Sequence, residues 1–274
     1  MEKMQSIIKP PAGFSFGLKE VWQYRELFYF FTWRDIKVKY KQAYLGVFWA
    51  LLQPLGMMVI FTFLFSKTWK IDTGIIQYPI FVLAGLICWN LFSSSVSHAA
   101  ESMIQHAGII NKIYFPRIII PGSSVLVALF DFMMGFIVFI IFCLIYKQPV
   151  HWPSVWCFPA GIIIVLIAAF GAGTFLSALN VKYRDFRYTI GFFLQVMFFA
   201  SQVIYPLQSI QQSWLKYILA INPVNAAIEL FRSAFAGGYA DTTTVYIGIA
   251  SAFLLLLIGI YYFRKTEAYF ADIV

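Results

Sequence analysis

Long apolar runs alternate with short polar connections along the chain. The runs are approximately Leu45–Phe65, Tyr78–Ser97, Pro121–Tyr146, Val155–Leu179, Tyr188–Tyr205 and Val245–Phe263. Each comes close to the roughly 20 predominantly apolar residues that a helix needs to cross a bilayer. They predict an all-α membrane protein, with six transmembrane helices over residues 45–263, a region 1–44 before them and a tail 264–274 after them. Extended back to Ile118, the third run is longer than a crossing requires, which predicts tilt or a start outside the hydrocarbon.

Two amphipathic pieces precede the first run. Leu18, Val21, Trp22 and Tyr29 fall near one side of the first piece, with Lys19, Glu20, Gln23 and Glu26 elsewhere. In the second, Phe30, Trp33, Ile36, Tyr40 and Tyr44 recur at steps of three and four. Arg34, Lys37 and Lys41 form the adjoining stripe, where long stems can lie on apolar surface while the charged heads reach phosphates. Ile36–Tyr40 also alternates with period two. No second strand candidate exists to pair with it, so a helix is expected. This N-terminal region reads as an interface helix, either a plain surface anchor or a platform for a partner.

Two connections carry more pattern than a linker does. Glu101–Pro121 is too polar to span and too apolar for a free loop, and Pro116 and Pro121 interrupt any single helix. It predicts a short surface helix within 101–117, a break, and then the third span; structureless connections are usually shorter. Within 206–243, Asn222-Pro223 supplies an N-cap and a first helical turn. Ala227, Ile228, Phe231 and Phe235 follow at helical spacing, and Gly237-Gly238 provides the stop. With the apolar stretch Trp214–Ile221 upstream, this predicts two short re-entrant helices in the outer leaflet. Glu229 and Arg232, three apart, are expected to pair on the exposed side.

Composition supports the bilayer as solvent: 61% of residues are hydrophobic and 12% charged, against about a quarter charged in soluble domains. Lys3, Lys9, Lys19, Arg25, Arg34, Lys37, Lys39 and Lys41 precede the first run. Lys112 and Arg117, then Lys182, Arg184 and Arg187, then Arg264 and Lys265 would lie on the same side. Lys67, Lys70, Lys147, Lys216 and Arg232 would lie opposite. The positive-inside rule then places both termini in the cytoplasm, and it accounts for the net charge of +8 without nucleic acid. No apolar core of a cleavable signal occurs in the first 44 residues. Cys88, Cys143 and Cys157 sit in apolar runs without paired spacing. The last two flank one connection, which would allow a disulfide, but buried thiols are the expectation.

Candidate chemistry is sparse. There is no GxxxxGK[ST] loop for ATP. His98, His106 and His151 lack metal-ligand spacing, and HExxH and CxxC are missing. No catalytic residue, metal site or cofactor is expected in this chain. Ala169, Gly173 and Ser177 lie four apart, a small-residue seam for helix packing.

Asp131 is the one carboxylate well inside a run. Placing it at depth costs at least ~2.5 kcal/mol, so it is either functional or bonded to a neighbouring helix or close to the interface. One carboxylate without a membrane-embedded Lys or Arg makes a poor ion-coupling relay. Phe192, Gln195, Phe199 and Gln202 share one face of the fifth run, and Trp49 and Gln53 form an i, i+4 pair in the first. Amides are costly toward lipid and turn inward. Such faces suit a path for a polar cargo with apolar flanks, such as a glycan, or serve as helix-to-helix glue with rings in the lipid belt.

RDIKVKYKQAYLGVFWALLQP (34–54), INKIYFPR with Pro121 (110–121), NVKYRD (180–185), VIYP (203–206) and INPVNAAIELFR (221–232) occur in this order over most of the chain. The set resembles the membrane subunit of ABC exporters of the type-2 permease class, in the branch that moves lipid-linked polysaccharides. O-antigen and teichoic-acid exporters belong there, with capsule exporters nearby. Gln202 departs from the pattern, which has a proline before VIYP. The resemblance implies a six-span homodimer in the bacterial inner membrane, joined by two copies of a separate ATPase subunit that binds ATP and Mg. It implies ATPase-coupling contacts at Glu101, Gln105, His106, Asn111, Lys112 and Arg117, and a cytoplasmic gate at Arg34, Asp35, Lys39 and Tyr40. Trp49, Gln53, Phe192, Gln195, Phe199 and Gln202 would line the channel. The implied function is ATP-driven export of a lipid-linked polysaccharide, with O-antigen the first candidate. The alternatives are capsule or teichoic-acid polymer, or another lipid-linked or small substrate, on the same architecture. An ion-driven flippase is less supported, since no internal repeat is visible.

Overall fold

The computed structural model describes residues 18–41, 46–68, 73–110, 112–183, 185–235, 237, 240–267 and 270. The helices are α1 (Leu18–Gln23), α2 (Arg25–Lys41), α3 (Gly46–Phe61), α4 (Tyr78–Gln105), α5 (Ala107–Ile110), α6 (Ile119–Ile145), α7 (Cys157–Lys182), α8 (Phe186–Phe199), α9 (Ser213–Ala220), α10 (Pro223–Ser233) and α11 (Thr242–Glu267). A π-helical stretch, Thr62–Thr68, continues α3. No strand occurs among the described residues, and the segment around Ile36–Tyr40 is helical.

Tyr78–Gln105, Ile119–Ile145, Trp152–Lys182 and Thr242–Glu267 are long and apolar enough to cross a membrane; Leu51–Phe65 and Phe186–Phe199 are shorter apolar helices. The element borders differ from the apolar runs in two informative places. α4 continues past Ser97 to Gln105, because its apolar face is replaced by small residues rather than by a helix breaker. The fifth run stops being helical at Phe199, and 200–205 is a series of turns.

α4 is the axis of the bundle. It packs against α6, α7, α10 and α3, and most of its residues are buried. Its 28 residues cover about 42 Å at 1.5 Å per residue, so its ends separate two polar clusters. α7 and α11 form the other main contact, and there the backbones nearly touch. A Cβ on Gly259 would land on the Gly171 carbonyl oxygen, and one on Gly171 would meet the backbone of Leu255 and Leu256. The expected seam is also in place: Ala169 and Ser177 are buried, and a Cβ on Gly173 would lie 2.7 Å from that of Ala99 on α4. In a bilayer, close backbone approach of this kind supplies the van der Waals packing that lipid cannot.

Two apolar cores result. The larger one surrounds α4. The second gathers Phe31 of α2, Met103, Ile110, Phe115, Ile118–Ile120, Ala178, Val181, Phe263 and Phe270 at the end of the bundle where α2 docks. α2 is anchored by Phe31, which is buried. The stripe legible in sequence faces away instead: Tyr29, Phe30 and Trp33 are exposed, Ile36 and Tyr40 are half-buried, and Tyr44 lies outside the described residues. The helix thus has two apolar sides, one against protein and one left exposed. The three cysteines are free; Cys88 and Cys143 are buried and Cys157 is half-buried.

α10 begins as its sequence predicts. Asn222 Oδ1 accepts from Val224 N at 3.1 Å and Pro223 takes the first turn. The helix ends at Ser233; Gly237 has φ 72°, while Gly238 lies outside the described residues. The expected exposed pair Glu229–Arg232 is not found. Both side chains are buried, at 6% and 5% exposure, and each bonds elsewhere. α10 is buried nearly all round, so no solvent side exists for such a pair.

Candidate functional site

Three polar assemblies stand out, two at the ends of α4 and one between them. At the α2 end, Arg34 bonds Asp35 through Nε at 3.0 Å and Nη2 at 2.7 Å. Arg34 also reaches the His106 ring, whose Nδ1 donates to the Ser102 carbonyl at 2.7 Å. His106 Nε2 lies 3.7 Å from Asp35 Oδ2. Burial works to raise the Asp35 pKa, but His106 and Arg34 beside it outweigh that and hold it below its ordinary 3.8. α2 is therefore tied to the C-cap of α4 by hydrogen bonds to His106 as well as by Phe31.

One turn further along α2, Lys39 Nζ stands 2.5 Å from Asp131 Oδ2, and the Tyr40 hydroxyl donates to Asp131 Oδ1. Asp131, on α6, is thus partnered across the fold by residues far from it in sequence. The carboxylate and burial together push the Tyr40 phenol above its ordinary range, burial being the larger cause.

At the α10 end Arg232 makes four hydrogen bonds to backbone carbonyls. Nε and Nη2 donate to Phe81 O at 3.1 and 2.7 Å, Nη1 to Gln202 O at 2.6 Å, and Nη2 to Val203 O at 2.9 Å. Its guanidinium also lies 3.4 Å from the Phe81 ring centroid. Glu229 accepts from Gln202 Nε2 at 3.1 Å, Gln208 Nε2 at 2.8 Å and Asp241 N at 3.1 Å. The Gln202 and Val203 carbonyls need Arg232 because the chain turns at 200–205 and leaves them without helical partners, while Phe81 O lies in the first turn of α4. Gly85 leaves the room: a Cβ there would lie 2.6 Å from Arg232 Nη2.

Between these ends, a cavity of about 320 Å³ opens among α3, α4 and α8. Gln53, Asn90 and Gln195 face it, together with Trp89, Phe198 and Phe199. Amides and aromatic rings in one apolar hollow can bond hydroxyls and cover ring faces at once. Gln53, Gln195 and Phe199, expected on one path, are brought together here. Phe192 is 70% exposed on α8 and points away from the cavity. Trp49 lies on α3, and its side chain is outside those described. Gln202 is not on the α8 face at all. At 2% exposure it sits beyond the helix end, bonded to Asn225 and Glu229.

The other expected contacts are spread out. Glu101 bonds Gln105 and Arg187. Gln105 and Lys112 are exposed, His106 is buried, and Asn111 is outside the described residues. Arg117 is held by the end of α11, its backbone N donating to Glu267 Oε1 at 3.0 Å and its guanidinium to Glu267 O. The exposed tip of this segment is Ile113 and Tyr114, which polar-residue reasoning passed over. Asn90 has its own signal, an amide in an apolar run followed at helical spacing by Ser93 and Ser94, which line a cavity with it.

A family model for the membrane region of ABC-2 type transporters matches residues 26–236. The chain belongs to the ABC-2 type transporter family. Among similar curated proteins, an O-antigen export system permease protein RfbA of Klebsiella pneumoniae is 29% identical over 242 residues, covering 88% of this chain and 92% of the relative. RfbA of Myxococcus xanthus is 30% identical over 219 residues, covering 80% and 83%. The polysialic acid transport protein KpsM of Escherichia coli is 25% identical over 240 residues, covering 85% and 91%. The match takes in nearly all of α2, the segment before α6, and α10, so Arg34, Asp35, Lys39, Tyr40, His106, Asp131, Glu229 and Arg232 fall inside the family region, with the Asp241 amide just beyond it.

Proposed function

We propose that this chain is the membrane permease of an ATP-driven exporter that moves a lipid-linked polysaccharide out of the cytoplasm, with O-antigen as its first candidate cargo. The observation that carries this reading is the cavity faced by Gln53, Asn90 and Gln195 among aromatic rings, in a chain similar over most of its length to O-antigen export permeases. A hydroxyl-rich chain finds amide partners there, and lipid does not.

The finer features of the reading are these. The chain crosses the inner membrane six times with both termini cytoplasmic. α3 with its continuation Thr62–Thr68, and α8 with the turns after it, supply the two crossings beyond the four long helices. Two copies form the path. Two copies of a separate ATPase, which bind ATP and Mg, dock against the 101–117 segment. Lys112, Ile113 and Tyr114 are exposed at its tip and suit that contact.

The test is deletion of the gene followed by analysis of surface glycan, with ATP turnover of the purified permease–ATPase complex measured with and without the lipid-linked polymer. Loss of O-antigen and stimulated turnover are expected. Intact surface glycan with no response to the glycolipid would overturn the proposal. The similarity to KpsM favours a second cargo, a capsule polymer, and the same deletion tells the two apart by which polymer disappears.

A further inference from the structure

Two cavities meet at Lys39. One, of about 550 Å³, lies between α2, α4 and α6 and is bordered by Arg34, Asp35, Lys39, His98 and His106. The other, of about 290 Å³, lies between α3, α4 and α6 and is bordered by Lys39, Gln53, Asn90, Ser93, Ser94 and Asp131. Gln53 and Asn90 border the amide–aromatic cavity as well. The three hollows therefore form a series from the α2 end into the bundle, and the Lys39–Asp131 pair stands at the junction of the first two.

We propose that Lys39, Tyr40 and Asp131 form a latch that divides these two cavities, and that its release joins them into one polar passage. Both Asp131 oxygens are taken by consecutive residues of the last turn of α2. A small outward movement of that turn breaks both bonds together. The groups left behind are not stranded, which separates a latch from a fixed buried bridge. The Lys39 side chain is 36% exposed and returns to water, while Asp131 already borders a cavity that holds the donors of Asn90, Ser93 and Ser94. Two arrangements of similar energy are the requirement for a switchable element. That the passage admits the hydroxyl-rich part of a cargo rests on the function proposed above; the latch itself does not.

The test uses Ser94→Cys as a reporter in a Cys88→Ala, Cys143→Ala, Cys157→Ala background. Its labelling by a membrane-impermeant maleimide is timed in inverted inner-membrane vesicles carrying the complete transporter. Asp131→Asn and Lys39→Met are each expected to speed labelling roughly two- to fivefold, the change that loss of an ordinary ion pair allows. The charge-swapped pair Lys39→Asp with Asp131→Lys is expected to restore the slow rate. Unchanged rates in the single variants, or a swap as fast as they are, would overturn the latch. If Asp131→Asn does not reach the membrane, Lys39→Met and Tyr40→Phe decide. Labelling needs neither glycan nor ATP, so lost export with unchanged labelling would refute the latch and leave the proposed function standing.

Discussion

Arg232 shows how much one side chain can fix. Its donors close the backbone carbonyls of Phe81, Gln202 and Val203, so it joins α10, the start of α4 and the turn after α8. Lysine cannot reproduce a planar fork of five donors. Arg232→Lys should therefore lower the melting temperature of the purified protein, and Arg232→Met should lower it further, since each buried carbonyl left without a donor costs about 1–3 kcal/mol. Gly85→Ala should cost about 1–3 kcal/mol by crowding the same guanidinium. A thermal scan in detergent that ranks all three with wild type would refute the role. Asp35 carries a pH signature. Its carboxyl is depressed in the folded chain, so its contribution to α2 docking is complete above the ordinary value of 3.8 and is lost as pH falls through the lower folded value. Limited proteolysis at the α1–α2 junction, followed from about pH 6 to about pH 3, should show release of α2 only at the acid end. Asp35→Asn should weaken docking throughout and flatten that dependence.

Elements are held here by very unequal means. α2 depends on buried Phe31, with Leu27 and Phe28 packed beside it, and on two polar ties, while Tyr29, Phe30 and Trp33 face outward. Phe31→Ala should remove about 3–5 kcal/mol from its docking. The N-terminal segment would then be cut by protease while the remaining core keeps its melting transition. Trp33→Ala should leave docking intact, and an isolated α2 peptide carrying it should bind lipid vesicles more weakly than the unaltered peptide. α7 and α11 depend on contact between backbones. Gly259→Leu is expected to separate them and prevent accumulation in the membrane, since the side chain would occupy the place of the Gly171 carbonyl. The sequence showed a small-residue face on α7 through Ala169, Gly173 and Ser177, but neither its partner α4 nor the Gly171–Gly259 crossing. Spacing along one helix says which face is narrow; it does not say which distant helix lies against it.

For the whole molecule, the amide cavity makes the sharpest expectation. Gln53→Leu with Gln195→Leu should reduce polymer export at least tenfold with ATPase assembly unchanged, measured by surface glycan and by co-purification of the partner. Equal export would show that these amides only glue helices. Helical class, the long apolar runs, the α10 cap and the asymmetry of basic residues were determined by the sequence alone, because each depends on composition or on neighbours within a few residues. Family membership was legible too, since its motifs are contiguous. Tertiary structure alone decided what Asp131 bonds, where Glu229 and Arg232 point, which ring anchors α2, and that Gln202 lies apart from Gln195. Those outcomes depend on contacts such as Lys39 with Asp131 or Arg232 with Phe81, which no local period encodes. Burial inverted the simplest expectation as well: a charged pair at helical spacing marks an exposed side only when the helix has one, and α10 does not.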